Sequence, residues 1–248
     1  MSCREGTVFK YTLIFVAAVI IAACNSAPSQ TTDNTVGGAN VVGYTQAPML
    51  KQTTTLALDW GKKAQAGQVA IADVISFGGP APAITAPAGW QMIRDDSTAT
   101  TRQSLYWHAV AANDPSTATW TFSAPVDAQG AMVLLDNVAA GAPVDMSTGN
   151  TGTGGTVTAK SMMTTTNADL IISFYATDFH LPGLAPQLPT DVNTVMNEET
   201  TPDEFWILTA YQQQFGATED EVATAAQIFN WVAAQVSIKH GAASPQAT

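Results

Sequence analysis

Thr119-Trp120-Thr121-Phe122-Ser123 alternates strictly between polar and apolar side chains. Successive residues of a β-strand point to opposite faces, so this stretch predicts a strand with Trp120 and Phe122 buried in a core. Residues 230–239 alternate in the same way, which again predicts a strand with one buried face. The buried side chains there are expected to be Val232, Ala234, Val236 and Ile238.

Longer apolar runs flank this alternating stretch in both directions. Val69 to Phe77 and Asp169 to Ala176 are almost continuously apolar, which is typical of central strands covered on both faces. Gly78-Gly79-Pro80 and similar turn clusters separate the strands. The pattern predicts an all-β protein, a two-sheet, jelly-roll-like β-sandwich. A helix is an alternative for residues 219–229, but their β-branched side chains favour a loop and a strand.

A weak internal repeat suggests that the sandwich arose by duplication. Gly67-Gln-Val-Ala-Ile-Ala is similar to Ala168-Asp-Leu-Ile-Ile-Ser about 100 residues later, and Ala131-Met-Val-Leu-Leu is matched in the same way by Val232-Ala-Ala-Gln-Val. This spacing exceeds the period of solenoid repeats. It fits two related halves merged into one sandwich, although apolar strands also resemble one another by chance.

The first 23 residues have the pattern of an export signal. Arg4 and Lys10 precede an uncharged apolar stretch, Tyr11 to Ala23. The stretch is shorter than the roughly 20 residues that a membrane-spanning helix needs. A basic start, a short apolar stretch and small residues before the break predict a signal peptide, with a short membrane anchor as the alternative.

Ile21-Ala22-Ala23-Cys24 resembles the lipobox of bacterial lipoproteins. The resemblance implies cleavage before Cys24 and acylation of that cysteine, which anchors the chain in a membrane. Cleavage would also remove Cys3, so that Cys24 becomes the single remaining cysteine and acylation accounts for it. The alternative is a buried cysteine at the end of an apolar helix. Asn25 occupies the position after Cys24 at which Asp would favour retention in the inner membrane. We therefore expect localisation in the cell envelope, in the outer membrane if the source is Gram-negative.

The remaining chain divides into a tether, a domain and a tail. Residues 24–40 are expected to form a lipidated flexible tether, because they are mostly small or polar. Residues 41–240 are expected to form the β-sandwich, and residues 241–248 a loose tail. The membrane, reached through the lipid anchor, is therefore the first expected partner.

The domain also resembles a type of β-sandwich found in exported and phage-tail-associated bacterial proteins. The segments that carry this resemblance lie between residues 66 and 239; they are Gly67-Gln-Val-Ala-Ile-Ala, Pro87-Ala-Gly-Trp-Gln-Met-Ile93, Tyr106-Trp-His-Ala109, Thr119-Trp-Thr-Phe-Ser123 and Asp169-Leu-Ile-Ile. The resemblance implies a jelly-roll-like sandwich in surface or adhesive settings, without a general enzymatic activity. It is poorest between Phe179 and Gly216, where a function particular to this protein is expected.

Composition excludes several classes of function. The net charge is −11 and the pI is about 4.4, which argues against binding of nucleic-acid phosphates. Two cysteines cannot build a disulfide scaffold or a zinc site made only of cysteine. The chain carries no catalytic motif such as Gly-x-Ser-x-Gly or His-Glu-x-x-His, and no phosphate-binding glycine loop. We therefore expect no cofactor and no metal.

Five residues near the divergent segment are candidates for ligand binding. Asp178 and His180 lie two positions apart, so they share a face in extended backbone, and a carboxylate beside an imidazole is the beginning of acid–base chemistry. A solvated polar pair is the plainer interpretation. Tyr175, Trp206 and Tyr211 are aromatic side chains that would stack on sugar rings if exposed, or pack in the core if buried.

Four acids between Glu198 and Glu204 offer oxygen ligands for calcium, but their spacing does not fit an EF-hand, and a solvated acidic loop explains them as well. The sequence therefore predicts an extracytoplasmic, lipid-anchored binding or adhesion module, with a glycan or an envelope protein as its partner. The alternatives are a jelly-roll polysaccharide lyase or glycoside hydrolase, and a structural component of an envelope complex.

Overall fold

The computed structural model describes residues 38–60, 64–79, 82–178, 192–200, 203–211, 215–224 and 230–241, with backbone only for 197–200 and 203–211. These residues contain thirteen strands and no helix, which confirms the all-β prediction. The strands are β1 (Asn40–Asp59), β2 (Val69–Phe77), β3 (Ile84–Thr85), β4 (Gln91–Ser97), β5 (Thr101–Ala109), β6 (Thr117–Asp136), β7 (Val144–Thr153), β8 (Thr156–Ala159), β9 (Leu170–Thr177), β10 (Asn193–Thr200), β11 (Asp203–Tyr211), β12 (Glu221–Thr224) and β13 (Asn230–Ile238).

The strands form two large sheets and one small ribbon, and every pairing is antiparallel. The first sheet has the order β1-β6-β2-β5-β4, and β3 pairs with β6 as well. The second sheet has the order β10-β11-β9-β13-β7. The ribbon consists of β8 and β12.

The main core lies between the two sheets. Alternate residues of β2, including Val69, Ile71 and Ile75, pack in one cluster with alternate residues of β9. Strands β6 and β13 contribute to the same cluster. Burial of these two apolar faces drives the sheets together, and the sandwich that the alternating and apolar stretches predicted is the result.

A second core covers the outer face of the first sheet. Strands β1 and β6 each span 20 residues, and their pairing shifts register three times between Ala47 and Thr55. Leu56 of β1 packs with Trp120 and Phe122 of β6 in this core, as the alternating stretch predicted for the two aromatic residues. The long β1–β6 pair therefore belongs to the first sheet at one end and covers its outer face at the other.

The ribbon covers the outer face of the second sheet. Val157 and Ala159 of β8 and Ala223 of β12 pack with Tyr175 and Trp231. Because β12 begins at Glu221, the strand interpretation of residues 219–229 is confirmed as far as Thr224, and residues 225–229 lie outside the described part. The domain thus has four layers, with both sheets inside.

The two halves of the chain have the same strand order. In chain order, β1, β2, β4, β5 and β6 correspond to β7, β9, β10, β11 and β13, and both sets are arranged first-last-second-fourth-third across their sheet. The pairing of β1 with β6 over residues 55–59 is matched by the pairing of β8 with β12.

Irregularities in the pairing also correspond between the halves. Strand β4 skips a residue between Met92 and Arg94, and β10 skips one between Thr194 and Met196. Matching bulges at matching places are unexpected for sheets that merely converged on one strand order, because bulges are local features retained within families. The repeated topology supports the duplication that the weak sequence repeat suggested.

The described residues belong to one compact unit. Strand β1 begins at Asn40, at the expected junction of tether and domain, and β13 ends at Ile238. The signal peptide, Cys24 and residues 242–248 lie outside the described residues, so these assignments stay predictions. Among the described residues, no helix is long and apolar enough to cross a bilayer.

Candidate functional site

Tyr175 lies in the core beneath the ribbon. Its side chain is fully buried on the outer face of the second sheet, and its hydroxyl donates a hydrogen bond to the Glu221 carbonyl at 3.2 Å. Burial raises the pKa of Tyr175, and the nearby Glu221 carboxylate adds to the effect. Its position therefore matches the core alternative rather than an exposed sugar-stacking platform.

Trp206 and Tyr211 both lie on β11, where the backbone register defines their faces. Trp206 is directly opposite Tyr175, and Tyr211 is opposite Leu170, a residue of the core between the sheets. Opposite partners in a sheet share a face, so Trp206 and Tyr211 occupy opposite faces at opposite ends of the strand. The register brings Trp206 close to Tyr175 and separates Tyr211 from both.

Asp178 is the centre of a hydrogen-bond network that joins the two sheets. Its carboxylate accepts the backbone N–H and the side-chain amide of Asn230, each at 2.9 Å. It also accepts the hydroxyl of Thr100, which lies between β4 and β5 of the other sheet. Thr153 donates to Asn230 at 2.9 Å and extends the network to the end of β7. This network gives Asp178 a structural role.

His180, the expected neighbour of Asp178, lies outside the described residues. The acids between Glu198 and Glu204 lie on β10 and β11 at the turn between them, where only the backbone is described. Within the described part of the chain, no group of three or more His, Cys, Asp or Glu side chains is arranged to hold a metal ion.

A pocket of about 380 Å³ lies at one corner of the first sheet; we call it the corner pocket. It forms where β2 ends and where β1 and β6 pass from the sheet to the outer layer. Its described walls are Gln52, Phe77, Gly78, Gly79, Pro82, Ser123, Ala124, Pro125, Val126 and Asp127. The pocket is half open to solvent, and its volume lies in the range of small-molecule sites.

Asp127 organises the polar side of the corner pocket. Its carboxylate accepts a hydrogen bond from the Gln52 backbone N–H at 2.9 Å and forms an ion pair with Lys51 at 3.0 Å. The Gln52 N–H, followed by the Lys51 ammonium, holds the pKa of Asp127 below its usual value. Ser123 accepts the Ala83 N–H at 3.0 Å. Amide, hydroxyl and carboxylate groups therefore stand among the apolar walls of the pocket.

Gln52 is held in a backbone conformation that side chains seldom adopt. Its φ is +47°, in the left-handed region, and it lies within the register shift between Leu50 and Thr53 of β1. Such a conformation costs of order 1 kcal/mol and persists only when its surroundings stabilise it. The bonds to Asp127 supply that stabilisation, so Gln52 and Asp127 form one rigid wall of the corner pocket.

An aromatic cluster lies at the opposite end of the first sheet. Trp90 stacks on His108 with ring centroids 5.3 Å apart and meets Trp120 edge-on at 4.9 Å. Trp60 closes the cluster, 5.7 Å from Trp90 and 5.5 Å from His108. Trp60 and Trp120 are buried and Trp90 is half-buried. We call these four residues the Trp–His cluster.

The sequence did not lead us to His108 or to the corner pocket. Tyr106 and His108 alternate onto one face of β5, which was visible in the sequence, but the acceptors of His108 come from separate turns. The walls of the corner pocket come from segments around residues 52, 78 and 125, each recognisable only as a break between strands. Long-range pairing creates both arrangements.

Comparison of the chain with protein-family models, with curated proteins and with solved structures gives no match. The functional interpretation therefore rests on the sequence and on the geometry of this chain.

Proposed function

We propose that this protein is a binding module anchored in the cell envelope through a lipid on Cys24, and that the corner pocket holds a neutral, hydroxyl-rich ligand such as a glycan. The observation that carries the proposal is the pocket itself, whose walls contain both polar and apolar groups.

The walls of the corner pocket offer groups that match the two kinds of surface on a sugar. The apolar C–H face of a sugar ring packs against side chains such as Pro82 and Pro125. Its hydroxyl groups require donors and acceptors at the rim, which Gln52 and Asp127 provide.

Charge favours a neutral ligand. The protein carries a net charge of −11, so an anionic ligand would approach against its field. Asp127 is already paired with Lys51, which weakens its attraction for a cation as well. A neutral glycan meets neither difficulty.

Asp178 does not support the alternative of a lyase or hydrolase. A general base must be able to take a proton from a bound substrate. The Asp178 carboxylate instead accepts three hydrogen bonds from Asn230 and Thr100, which fix it between the sheets.

The proposal is tested by filling the pocket. Ala124 is exposed on the pocket wall, so Ala124→Trp places a large side chain in the opening without disturbing a core. We expect its binding to a panel of neutral oligosaccharides, measured by calorimetry or on an array, to fall at least tenfold relative to the unchanged protein.

Ala140→Trp is the matched control, because Ala140 is also exposed but lies in the connection between β6 and β7, away from the pocket. The control is expected to bind like the unchanged protein. If no neutral oligosaccharide binds the unchanged protein, or if both variants bind as it does, the corner pocket is not a glycan site.

A further inference from the structure

His108 connects two separate turns to the end of β5. Its Nδ1 lies 3.0 Å from the Gly89 carbonyl oxygen, in the turn before β4. Its Nε2 lies 2.7 Å from a carboxylate oxygen of Asp114, in the turn after β5. The His108 side chain is only 12% exposed, whereas Gly89 is exposed.

Both contacts of His108 are with hydrogen-bond acceptors. A neutral imidazole carries one N–H and can satisfy only one of them, whereas the imidazolium carries two and satisfies both. The flat face of the ring stacks on Trp90, an arrangement that also favours a cation. The two acceptors and the stacked indole are therefore all contacts that a charged ring satisfies.

The first turn is built to receive this ring. Gly89 has a φ of +84°, and a Cβ at this position would lie 2.9 Å from Cε1 of His108. The turn closes with the Trp90 N–H donating to the Pro87 carbonyl at 3.3 Å. Glycine thus permits both the turn and the close approach of the ring. The same turn places Trp90 in its stacked position on His108.

We propose that His108 is a proton-operated latch at this end of the first sheet. When the ring is charged it holds the 87–90 turn and the 111–114 turn together. Loss of one proton removes one of the two bonds, and the turn that loses its bond loosens. Histidine is the side chain whose charge ordinarily changes between pH 5 and 8, so the latch would respond to the pH outside the cell membrane.

Among the described residues, Asp114 is the charged group that contacts His108. It binds the ring directly and also accepts the Ala111 N–H at 2.7 Å. Trp60, which follows β1, lies 5.5 Å from the ring, and Asp59 next to Trp60 is exposed. On β2 the residue opposite His108 is Ala70.

Tryptophan fluorescence follows the latch, because a charged imidazole quenches an indole on which it stacks. We expect the emission of the full chain to change in one step between pH 5 and 8. His108→Gln should remove this step, and the matched control His240→Gln should retain it.

The nitrogen NMR signals of the His108 ring provide a second measurement that does not depend on the emission. Both nitrogens are expected to carry protons on the acid side of the step and one on the alkaline side. A ring that is already neutral at pH 5, or an emission step that persists in His108→Gln, would overturn the latch. Since the corner pocket lies at the other end of the sheet, neither result bears on glycan binding.

Discussion

At the scale of single residues, Asp73 contradicts the apolar character of its strand. It points into the core between the two sheets, fully buried, and accepts one hydrogen bond from the Gln103 amide at 2.9 Å. Burial raises the pKa of Asp73 from 3.8 to about 8, so the carboxyl group is protonated at neutral pH. Folding of the neutral protein therefore includes uptake of a proton by Asp73.

This proton uptake makes stability depend on pH in a defined direction. A carboxyl group whose pKa is raised on folding contributes its full stabilisation below the pKa of the unfolded chain, and loses it as pH rises towards the folded value. We therefore expect the contribution of Asp73 to the free energy of unfolding to fall between pH 4 and 8.

Asp73→Asn replaces the protonated acid with a neutral group of the same shape. We expect it to unfold with a free energy about 2–4 kcal/mol higher than the unchanged protein at pH 8, and with no gain at pH 4. Urea unfolding at several pH values measures both. Asp145→Asn is the control, because the pKa of Asp145 is lowered by its bonds to Thr165 and its pH dependence has the opposite sign. A gain that is equal at pH 4 and pH 8 would contradict the assignment.

At the scale of strands, local patterns predicted most of the fold. The alternation at residues 119–123 and the apolar runs at 69–77 and 169–176 became strands β6, β2 and β9, because period-two burial is a property of each strand alone. The lengths of β1 and β6 were not predicted. Both strands cross from a sheet to an outer layer, and only their partner decides where they bend.

The candidate site was harder to predict from the sequence than the fold, because it depends more on tertiary contacts. Asp178 was noticed for its nearness to His180, but its partners Thr100 and Asn230 are far away in sequence. For Tyr175 the sequence favoured a core side chain over an exposed stacking platform, and the ribbon that covers it is the tertiary feature that buries it. A sequence pattern shows which chemical groups a residue carries. The residues that it contacts depend on the pairing between distant strands.

At the scale of the whole molecule, the four layers follow from the repeated topology. Each half builds one sheet and covers the outer face of that sheet with its own strands. The inner face of each sheet is covered by the sheet of the other half. At the edge of the sandwich, Arg94 of β4 reaches Ser147 of β7 at 3.3 Å and forms a two-bond pair with Asp96. The halves behave as the two partners of a fused dimer.

The lipid anchor is tested on the whole chain in its cell. Cys24→Ala removes the sulfur to which an acyl chain would be attached, and we expect the protein to leave the membrane fraction or to stay unprocessed. Cys3→Ala is the matched control and should mature normally, because Cys3 lies within the segment to be removed. Normal maturation of Cys24→Ala with full retention by the membrane would contradict the anchor.

The fused-dimer arrangement makes the connection between the halves dispensable once the protein has folded. The connection between β6 and β7 is exposed at Ala140, Gly141 and Ala142. A protease site inserted after Gly141, where φ is +81° and a side chain would meet nothing within 4 Å, should be cut without harm to the fold. We expect the two fragments to elute together from a sizing column and to separate only in denaturant, because the core between the sheets holds them.

The control is the same insertion between Leu170 and Ile171, in the fully buried centre of the second sheet, which should prevent folding. Fragments that separate under native conditions would show that the halves depend on their covalent connection, and that the core between the sheets is too weak to act as a dimer interface.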